Sequence, residues 1–384
     1  MTLMINDIAD VINISVSNPA ESEYDIFVGL EHYDVGEPII TRYGSTKMLT
    51  TACKKFSAGD ILLARRNVYL RRAGLVKFDG LTSGDSIVIR IKPNLSIEGV
   101  NSQEISRLLP FVLNTNAFWD FANTNSDGTM SKRLSPQMLL SYEFNLPPFS
   151  NQKPLADKLW AAYNLKASKL KLIDAIDEMV KSQFIEMFGT LDNHPAEYAV
   201  KTLRDLSECY AGATPSTKVK EYWDNGSIPW MSSGEVHMEH VTETESKITE
   251  SGYQQTSTKM VPVHSVVIAL AGQGKTRGKV AITEIPLCTN QSLCAIVPSK
   301  DIHYEYLYHN LKGRYLELRG MAGDVNGRGG LNLKIVQSIQ VIVPPIDEQM
   351  KFVAIAHQAD KSKFELKKSI EAIDKVIKSL INNI

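Results

Sequence analysis

The chain has 384 residues and a mass of 42.7 kDa, which at roughly 100 to 200 residues per domain predicts about two or three domains rather than one small fold. Its 42 Lys and Arg balance 43 Asp and Glu, so the net charge of −1 gives no overall attraction to nucleic acid or to an anionic membrane. With 43% hydrophobic residues, no apolar run long enough for a membrane span, no secretory signal and four scattered cysteines, the composition indicates a globular cytoplasmic protein with reduced thiols and no metal site.

The first 149 residues read as a mixed region of short strands and turns. β-Branched runs alternate with Gly, Pro, Asn and Asp, which is the pattern of strands separated by turns. Short buried strands are predicted at residues 59–64 and 84–89. Between them, two pairs of arginines bracket a turn, so this turn is strongly basic.

A long helix is predicted over residues 150–190. Apolar residues recur at largely three-and-four spacing from Leu155 to Met187, Pro154 lies near the first turn, and Gly189 follows the last. At ~1.5 Å per residue this helix is about 50 Å long. Such a length exceeds a globule of about 150 residues, whose radius of gyration is about 15 Å.

The second half of the chain repeats the first. Pro147-Pro148 and Pro344-Pro345 lie 197 residues apart, and each pair precedes a long helical pattern. Upstream, residues 59–64 match 264–269, residues 84–89 resemble 290–295, and residues 72–76 loosely match 277–280. This repeat predicts two similar halves in tandem, with a second mixed region over 191–345 and a second helix over 346–384.

The two predicted helices carry equivalent apolar stripes. The helix-pairing candidates of the two helices correspond at the same offset of 197 residues. They are Ile173, Ile176, Val180 and Phe184 in the first helix, and Ile370, Ile373, Ile377 and Ile381 in the second. One interpretation packs each helix on its own domain. The other pairs the helices as an antiparallel coiled coil, because their length leaves part of each stripe beyond its domain.

One motif suggests nucleotide chemistry. Residues 269–276, which end in Gly274-Lys275-Thr276, satisfy a relaxed phosphate-loop pattern and offer a nucleotide hydrolase as an alternative function. A phosphate loop needs a helix immediately afterwards, whereas residues 277–282 read as a strand, so a hairpin is favoured.

Basic and amide side chains are concentrated on predicted loops of both halves. The candidate DNA-binding residues are Arg65, Arg66, Arg71, Arg72, Lys132 and Arg133 in the first half, and Gln273, Lys275, Arg277, Lys279, Asn326 and Arg328 in the second. Each could simply be a solvated residue on a turn. Their repeated placement favours a function, because Arg and Lys bond guanine edges and Gln and Asn bond adenine edges in the major groove.

Taken together, these features resemble the specificity subunit of a type I restriction-modification system. The resemblance covers nearly the whole chain and depends on the tandem halves, the hairpin with Gly278-Lys279-Val280-Ala281-Ile282, the turn Asn290-Gln291-Ser292, and Pro344-Pro345-Ile346-Asp347-Glu348-Gln349 at the start of the last helix. The first half departs from the pattern, with Arg71-Arg72-Ala73-Gly74 in its hairpin and Phe149-Ser150-Asn151-Gln152 in place of an acidic helix start.

The resemblance implies an α+β fold: two similar mixed α/β target-recognition domains, residues 1–149 and 191–345, joined by two long spacer helices, 150–190 and 346–384, that form an antiparallel coiled coil. It implies a non-catalytic subunit that reads a bipartite sequence in double-stranded DNA. Two methyltransferase subunits, with or without two nuclease subunits, would dock on the helices and hold the S-adenosylmethionine, ATP and magnesium, so this chain would have no cofactor. A coiled-coil scaffold that does not bind DNA is the remaining alternative.

Overall fold

The computed structural model describes residues 1–128, 131–272, 274, 276–321 and 330–382. The chain forms two compact units: unit 1 contains Met1–Lys169 and Lys368–Ile384, and unit 2 contains Leu170–Lys367. Among the helices of the described residues, none has the length and apolarity needed to cross a membrane.

Unit 1 combines short strands with four short helices and the start of a long one. Its strands are β1 (Thr2–Met4), β2 (Ala9–Ile12), β3 (Ser15–Val16), β4 (Ile26–Val28), β5 (Gly44–Ser45), β6 (Cys53–Phe56), β7 (Ile61–Ala64), β8 (Ala73–Leu75), β9 (Gly80–Thr82), β10 (Ser86–Ile91), β11 (Ser126–Asp127), β12 (Arg133–Leu134) and β13 (Glu143–Asn145). Its helices are α1 (Ile5–Ile8), α2 (Ser102–Val112), α3 (Asn116–Thr124), α4 (Pro136–Leu140) and the first part of α5 (Phe149–Phe188).

Unit 2 likewise combines short strands, short helices and part of a long helix. Its strands are β14 (Ala199–Thr202), β15 (Ser207–Ala211), β16 (Ile228–Met231), β17 (His240–Val241), β18 (Ser246–Ile248), β19 (Met260–Val261), β20 (Val266–Ala269), β21 (Val280–Thr283), β22 (Leu287–Thr289), β23 (Leu293–Pro298) and β24 (Gln340–Val343). Its helices are α6 (Leu203–Leu206), α7 (Glu250–Gln254), α8 (Tyr304–Gly313), α9 (Tyr315–Gly320), α10 (Leu333–Ser338) and most of α11 (Ile346–Ile381), whose last part lies in unit 1.

The same central sheet occurs in both units. Its strand order is β2-β10-β7-β8 in unit 1 and β15-β23-β20-β21-β17 in unit 2, and both units also contain a parallel pair, β4 with β9 and β16 with β22. All four residues of β7 and of β20 are buried, because both faces of the sheet are covered. The predicted tandem repeat is therefore present in the three-dimensional structure.

The strand register corrects the predicted alignment of the halves. Ser86 lies opposite Ala64, and Leu293 lies opposite Ala269, so the strand predicted at 84–89 matches 291–296 rather than 290–295. The Ala64 N–H donates to the Arg72 carbonyl and the Ala269 N–H to that of Lys279, each at 2.9 Å. Arg72 is therefore equivalent to Lys279 and not to Arg277. The extra residues of the second hairpin lie in its connection, where pairing does not constrain length.

The long helices run antiparallel and pack together within each unit. In unit 1, the first part of α5 (Leu155, Ala156, Leu159) packs in the core that the last part of α11 (Ile377, Leu380, Ile381) also contacts. In unit 2, the last part of α5 (Val180, Phe184, Phe188) shares a core with the first part of α11 (Phe352, Val353, Ala356). This arrangement confirms the predicted α+β fold with two paired helices. Both interpretations of the apolar stripes hold, because each helix contacts a domain core as well as its partner helix.

The remaining helix-pairing candidates differ in burial. Ile176 is half-buried against the core of unit 2, and Ile373 is only 9% exposed. Ile173 and Ile370 are half-buried. Val180, Phe184 and Ile373 are therefore the buried members of the two predicted stripes, and the others are half-buried.

Two equivalent ion pairs link the long helices, and both follow the 197-residue offset. In unit 1, the Lys166 ammonium lies 3.0 Å from Asp374 and 2.8 Å from Glu37. In unit 2, the ammonium of Lys363 lies 2.8 Å from Asp177. Burial opposes the charged form of both lysines, but their carboxylate partners outweigh it and raise the pKa of each. Neither lysine was predicted to join the helices, although the 197-residue offset relates the two.

A buried glutamine fixes the start of each long helix. The Gln152 amide donates to the carbonyls of Gly99 and Pro147 at 2.7 and 3.0 Å, and its oxygen accepts from the Asn101 N–H at 2.8 Å. Asn101 in turn caps α2. The same side chain therefore satisfies three backbone groups where two helices begin.

The equivalent glutamine in unit 2 makes the same three bonds. The Gln349 amide nitrogen donates to the carbonyls of Asp301 and Pro344 at 3.1 and 2.9 Å. Its amide oxygen accepts from the N–H of His303 at 2.8 Å, and His303 caps α8. Both glutamines are fully buried. The repeat therefore extends to individual hydrogen bonds.

Candidate nucleic-acid interface

Backbone pairing brings the basic residues of unit 1 together from two distant segments. The chain leaves β7 at Ala64, and the Arg65 carbonyl accepts from the Leu134 N–H at 2.9 Å. Arg66 forms an antiparallel bridge with Arg133, and the Asn67 N–H donates to the Lys132 carbonyl at 2.9 Å. We call the six predicted residues gathered here the arginine cluster: Arg65, Arg66, Arg71, Arg72, Lys132 and Arg133.

The outer part of the arginine cluster is exposed and only partly neutralised. Asp85 faces two guanidinium groups, at 3.6 Å from Arg66 and 3.4 Å from Arg133. The two arginine side chains remain 45% and 49% exposed, so they present positive charge to solvent. Arg66 is also oriented by a 2.9 Å bond from its Nε to the Ser131 hydroxyl. The geometry suits contact with phosphates or with base edges.

The inner part of the arginine cluster supports the loop. Arg72 donates to the carbonyls of Leu30 and Arg66 at 3.0 and 3.1 Å, and burial lowers its pKa. Arg65 is half-buried, and its Nε has no hydrogen-bond partner among the described residues. Arg71 is more exposed and donates to the Asn116 side chain at 2.6 Å. Arg72 therefore holds the loop from within, whereas Arg71 lies at its surface.

Four of the six candidates in unit 2, namely Gln273, Lys275, Asn326 and Arg328, lie outside the described residues. Of the other two, Lys279 is half-buried at the end of the hairpin connection. Arg277 is only 7% exposed, so it offers little surface to a duplex, and its role as a base contact stays a prediction. No local pattern indicates this burial, because it arises from the tertiary packing of the hairpin.

The same hairpin contradicts the helix that the nucleotide-hydrolase alternative requires after Thr276. Strands β20 and β21 pair antiparallel, with Val266 opposite Ile282 and Ile268 opposite Val280. The segment after Lys275-Thr276 is therefore a strand, and no helix amino terminus follows it to face phosphates. The predicted hairpin is confirmed.

Asp85, Ser131 and Asn67 were not predicted to belong to this surface. Ser131 accepts from Arg66 and its hydroxyl donates to the Asn67 side chain at 3.3 Å. These contacts join residues more than sixty positions apart, so no local pattern could have indicated them.

A family model matches the second half of the chain. The model of the type I restriction modification DNA specificity domain matches residues 195–374. These residues are therefore similar to type I restriction-modification DNA specificity domains. The resemblance seen in the sequence is thereby confirmed.

Similar curated proteins carry the same description. The specificity subunit of the type I restriction enzymes EcoR124I/EcoR124II of Escherichia coli is 32% identical over 164 residues, 42% of this chain and 40% of that protein. The MjaIX specificity subunit of Methanocaldococcus jannaschii is 29% identical over 214 residues, 53% of this chain and 48% of the relative. The matches thus span less than half the length of these relatives.

Solved structures show the same fold along the whole chain. A chain from a study of complex assembly and conformational transition of the type I R-M system has a TM-score of 0.58 at 15% identity and covers 100% of this chain and 96% of its own. The S subunit of the type I system of M. genitalium has a TM-score of 0.53 at 14% identity, with coverages of 99% and 94%. The specificity-subunit fold therefore extends over both units.

Proposed function

We propose that this chain is the non-catalytic specificity subunit of a type I restriction-modification complex and that each unit reads one half of a bipartite duplex target. The observation that carries this proposal is the repeat itself: one sheet, one glutamine and one helix ion pair recur in both units. Unit 1 adds the arginine cluster at the end of β7. The equivalent loop of unit 2 follows β20. Two equivalent readers suit a target with two separate half-sites.

We further propose that methyltransferase subunits dock on the paired helices. Met179 and Val376 lie 197 residues apart, and both are apolar side chains left half exposed, at 50% and 52%. In unit 2, a shallow groove of about 490 Å³ lies beside Met179, between α5 and α11, and Ile355 and Ala359 also line it. Exposed apolar residues at equivalent positions suit two copies of one partner.

In this proposal the chemistry belongs to the partners. S-adenosylmethionine, ATP and magnesium would be held by the methyltransferase subunits and by nuclease subunits where these join the complex. The present chain would supply the choice of sequence. Partners would also supply much of the phosphate neutralisation, which is compatible with a net charge of −1.

The test of two independent readers is an exchange of one domain. Residues 200–340 are replaced by the equivalent segment of another specificity subunit, and methylated adenines are mapped across the genome. We expect one half-site of the methylated motif to change and the other to stay the same. A change in both half-sites would contradict the proposal, as would a methylome that does not depend on this chain.

The arginine cluster is tested separately with a matched control. Arg133→Ala should weaken methylation directed by the half-site of unit 1, by about 1–3 kcal/mol if a base contact is lost. Arg42 provides the control, because it is 52% exposed in the same unit but is paired with Asp34 at 2.7 Å, outside the arginine cluster. Equal effects of Arg133→Ala and Arg42→Ala would show that the arginine cluster has no special role.

A further inference from the structure

An exposed aromatic side chain lies at the tip of the loop that carries the arginine cluster. Residues Val68–Leu70 form a single 3-10 turn, in which Val68 is buried in the core of unit 1 and Tyr69 is 63% exposed. The buried valine anchors the turn, so the tyrosine ring is directed away from the core. The exposed ring is free to pack against a ligand, because burial of an aromatic side chain is favourable.

The backbone of this turn is strained on both sides. Asn67 and Arg71, which flank the turn, have φ values of 55° and 50°, in the left-handed region that residues other than glycine rarely adopt. Backbone strain of this kind tends to persist at functional sites.

Several bonds hold the turn in place despite the strain. The N–H groups of Leu70 and Arg71 close the turn on Asn67 and Val68 at 3.0 and 2.9 Å, and the Asn67 N–H is bound to the Lys132 carbonyl. On the other side, Arg71 donates to the side chain of Asn116 at the start of α3. These bonds hold the backbone of the turn that carries Tyr69.

The electrostatic surroundings indicate what the ring contacts. Arg66 and Arg71 lie just outside the two ends of the turn, and Arg133 is bridged to Arg66. Fewer acidic groups lie beside this surface: Asp85 is shared by two arginines, the exposed Asp120 lies 3.9 Å from Arg71, and Asp127 is opposite Arg133 in the β11–β12 pair. Basic residues outnumber acidic ones, so the tyrosine is surrounded by groups that bind phosphate, which is the arrangement of a side chain that reaches a base.

We infer that Tyr69 is a specificity-determining residue that contacts a base in the half-site read by unit 1, while the surrounding arginines hold the DNA backbone. This inference rests on the proposed function and adds a residue that the basic pattern alone does not indicate. A tyrosine ring packs against the thymine methyl group, and its hydroxyl bonds base edges in the major groove. Because the side chain is neutral, it contributes to sequence discrimination and not to the salt dependence of binding.

The experiment begins with the methylated motif of the wild-type complex, from which a duplex probe and its single-base variants are made. The full-length chain in its complex is titrated with each duplex. For Tyr69→Ala, we expect discrimination at one or two adjacent positions of one half-site to fall by on the order of ten-fold. The other half-site and the slope of affinity against salt concentration should not change.

Three further variants separate the possible outcomes. Tyr69→Phe shows whether the ring or the hydroxyl carries the discrimination, and it preserves bulk if Tyr69→Ala reduces folding. Tyr43→Ala is the matched control, because Tyr43 is 55% exposed in the same unit but packs edge-on against Phe78. Arg66→Ala should instead weaken binding to all duplexes and reduce the salt slope.

The inference is overturned if the wild-type complex discriminates between bases and the Tyr69→Ala complex discriminates equally well. It is also overturned if Tyr69→Ala weakens binding equally for every DNA sequence. It is also overturned if Tyr69→Ala leaves DNA binding intact but prevents assembly with the methylating subunits, because the ring would then belong to a protein interface. Failure of the proposed function is distinct, since in that case the wild-type chain itself directs no methylation.

Discussion

The buried glutamines Gln152 and Gln349 allow the stability of each unit to be perturbed separately. Replacing either one with methionine keeps the length and approximate volume of the side chain and removes its polar amide. Gln152→Met should destabilise unit 1, and Gln349→Met should destabilise unit 2. Each variant is therefore the control for the other.

The magnitude follows from the bonds that are lost. Gln349 is fully buried and bonds to the Asp301 and Pro344 carbonyls and the His303 N–H, so methionine leaves three backbone groups without this partner. At a net contribution of about 1 kcal/mol for each bond, the loss is about 3 kcal/mol. In a unit of this size, the melting temperature falls by about 2–4 °C for each kcal/mol of lost stability, so we expect a decrease of about 6–12 °C.

The assay must resolve the two units, because a chain with two cores need not unfold in a single step. Hydrogen exchange followed by mass spectrometry reports protection peptide by peptide. For Gln349→Met, we expect faster exchange in α8 and in the start of α11, with unit 1 unchanged. Gln358→Met, at an exposed position on the same helix, should change neither unit. A shift in melting temperature below 1 °C for Gln349→Met would refute the reasoning.

Three further predictions concern the helices and the pH response. Lys363→Met should loosen α11 against α5 in unit 2, and Lys166→Met should do the same in unit 1, each seen as faster helix exchange, whereas the exposed Lys171→Met should not. Burial lowers the pKa of His309 to about 4, so the unfolded chain binds the proton more readily than the folded chain does. Unit 2 should therefore lose stability as the pH falls from about 6.5 towards 4. His309→Gln should flatten this pH dependence of stability in denaturant titrations. Adding four residues to both helices, after Lys166 and after Lys363, lengthens each helix by ~6 Å and preserves its apolar stripe. The unspecified spacer in the methylated motif should then lengthen by about one or two base pairs, because base pairs stack at about 3.4 Å each. An unchanged spacer in an active complex would show that the helices do not set the spacer length.

The sequence by itself determined the features that depend on local order. Helical periodicity placed both long helices, because burial of one face imposes a regular spacing of apolar residues. The 197-residue offset revealed the tandem halves, and the strand after Lys275-Thr276 argued against a phosphate loop before the β20 and β21 pairing excluded it. These patterns depend on neighbours within a few positions or on direct comparison of one half with the other.

Only the tertiary structure decided which of the basic residues form a surface. Arg66 meets Arg133 through a backbone bridge, Asp85 lies between them, and Arg277 is buried, none of which has a local signal. Tertiary structure also decided which residues of the two halves are equivalent. The predicted alignment of residues 84–89 shifted by one residue because Ser86 pairs with Ala64. Contacts between residues far apart in sequence depend on how loops close and how strands pair, and many side-chain patterns are compatible with one such arrangement. For this reason local patterns indicate the fold, whereas the composition of the proposed DNA-binding surface depends on tertiary contacts.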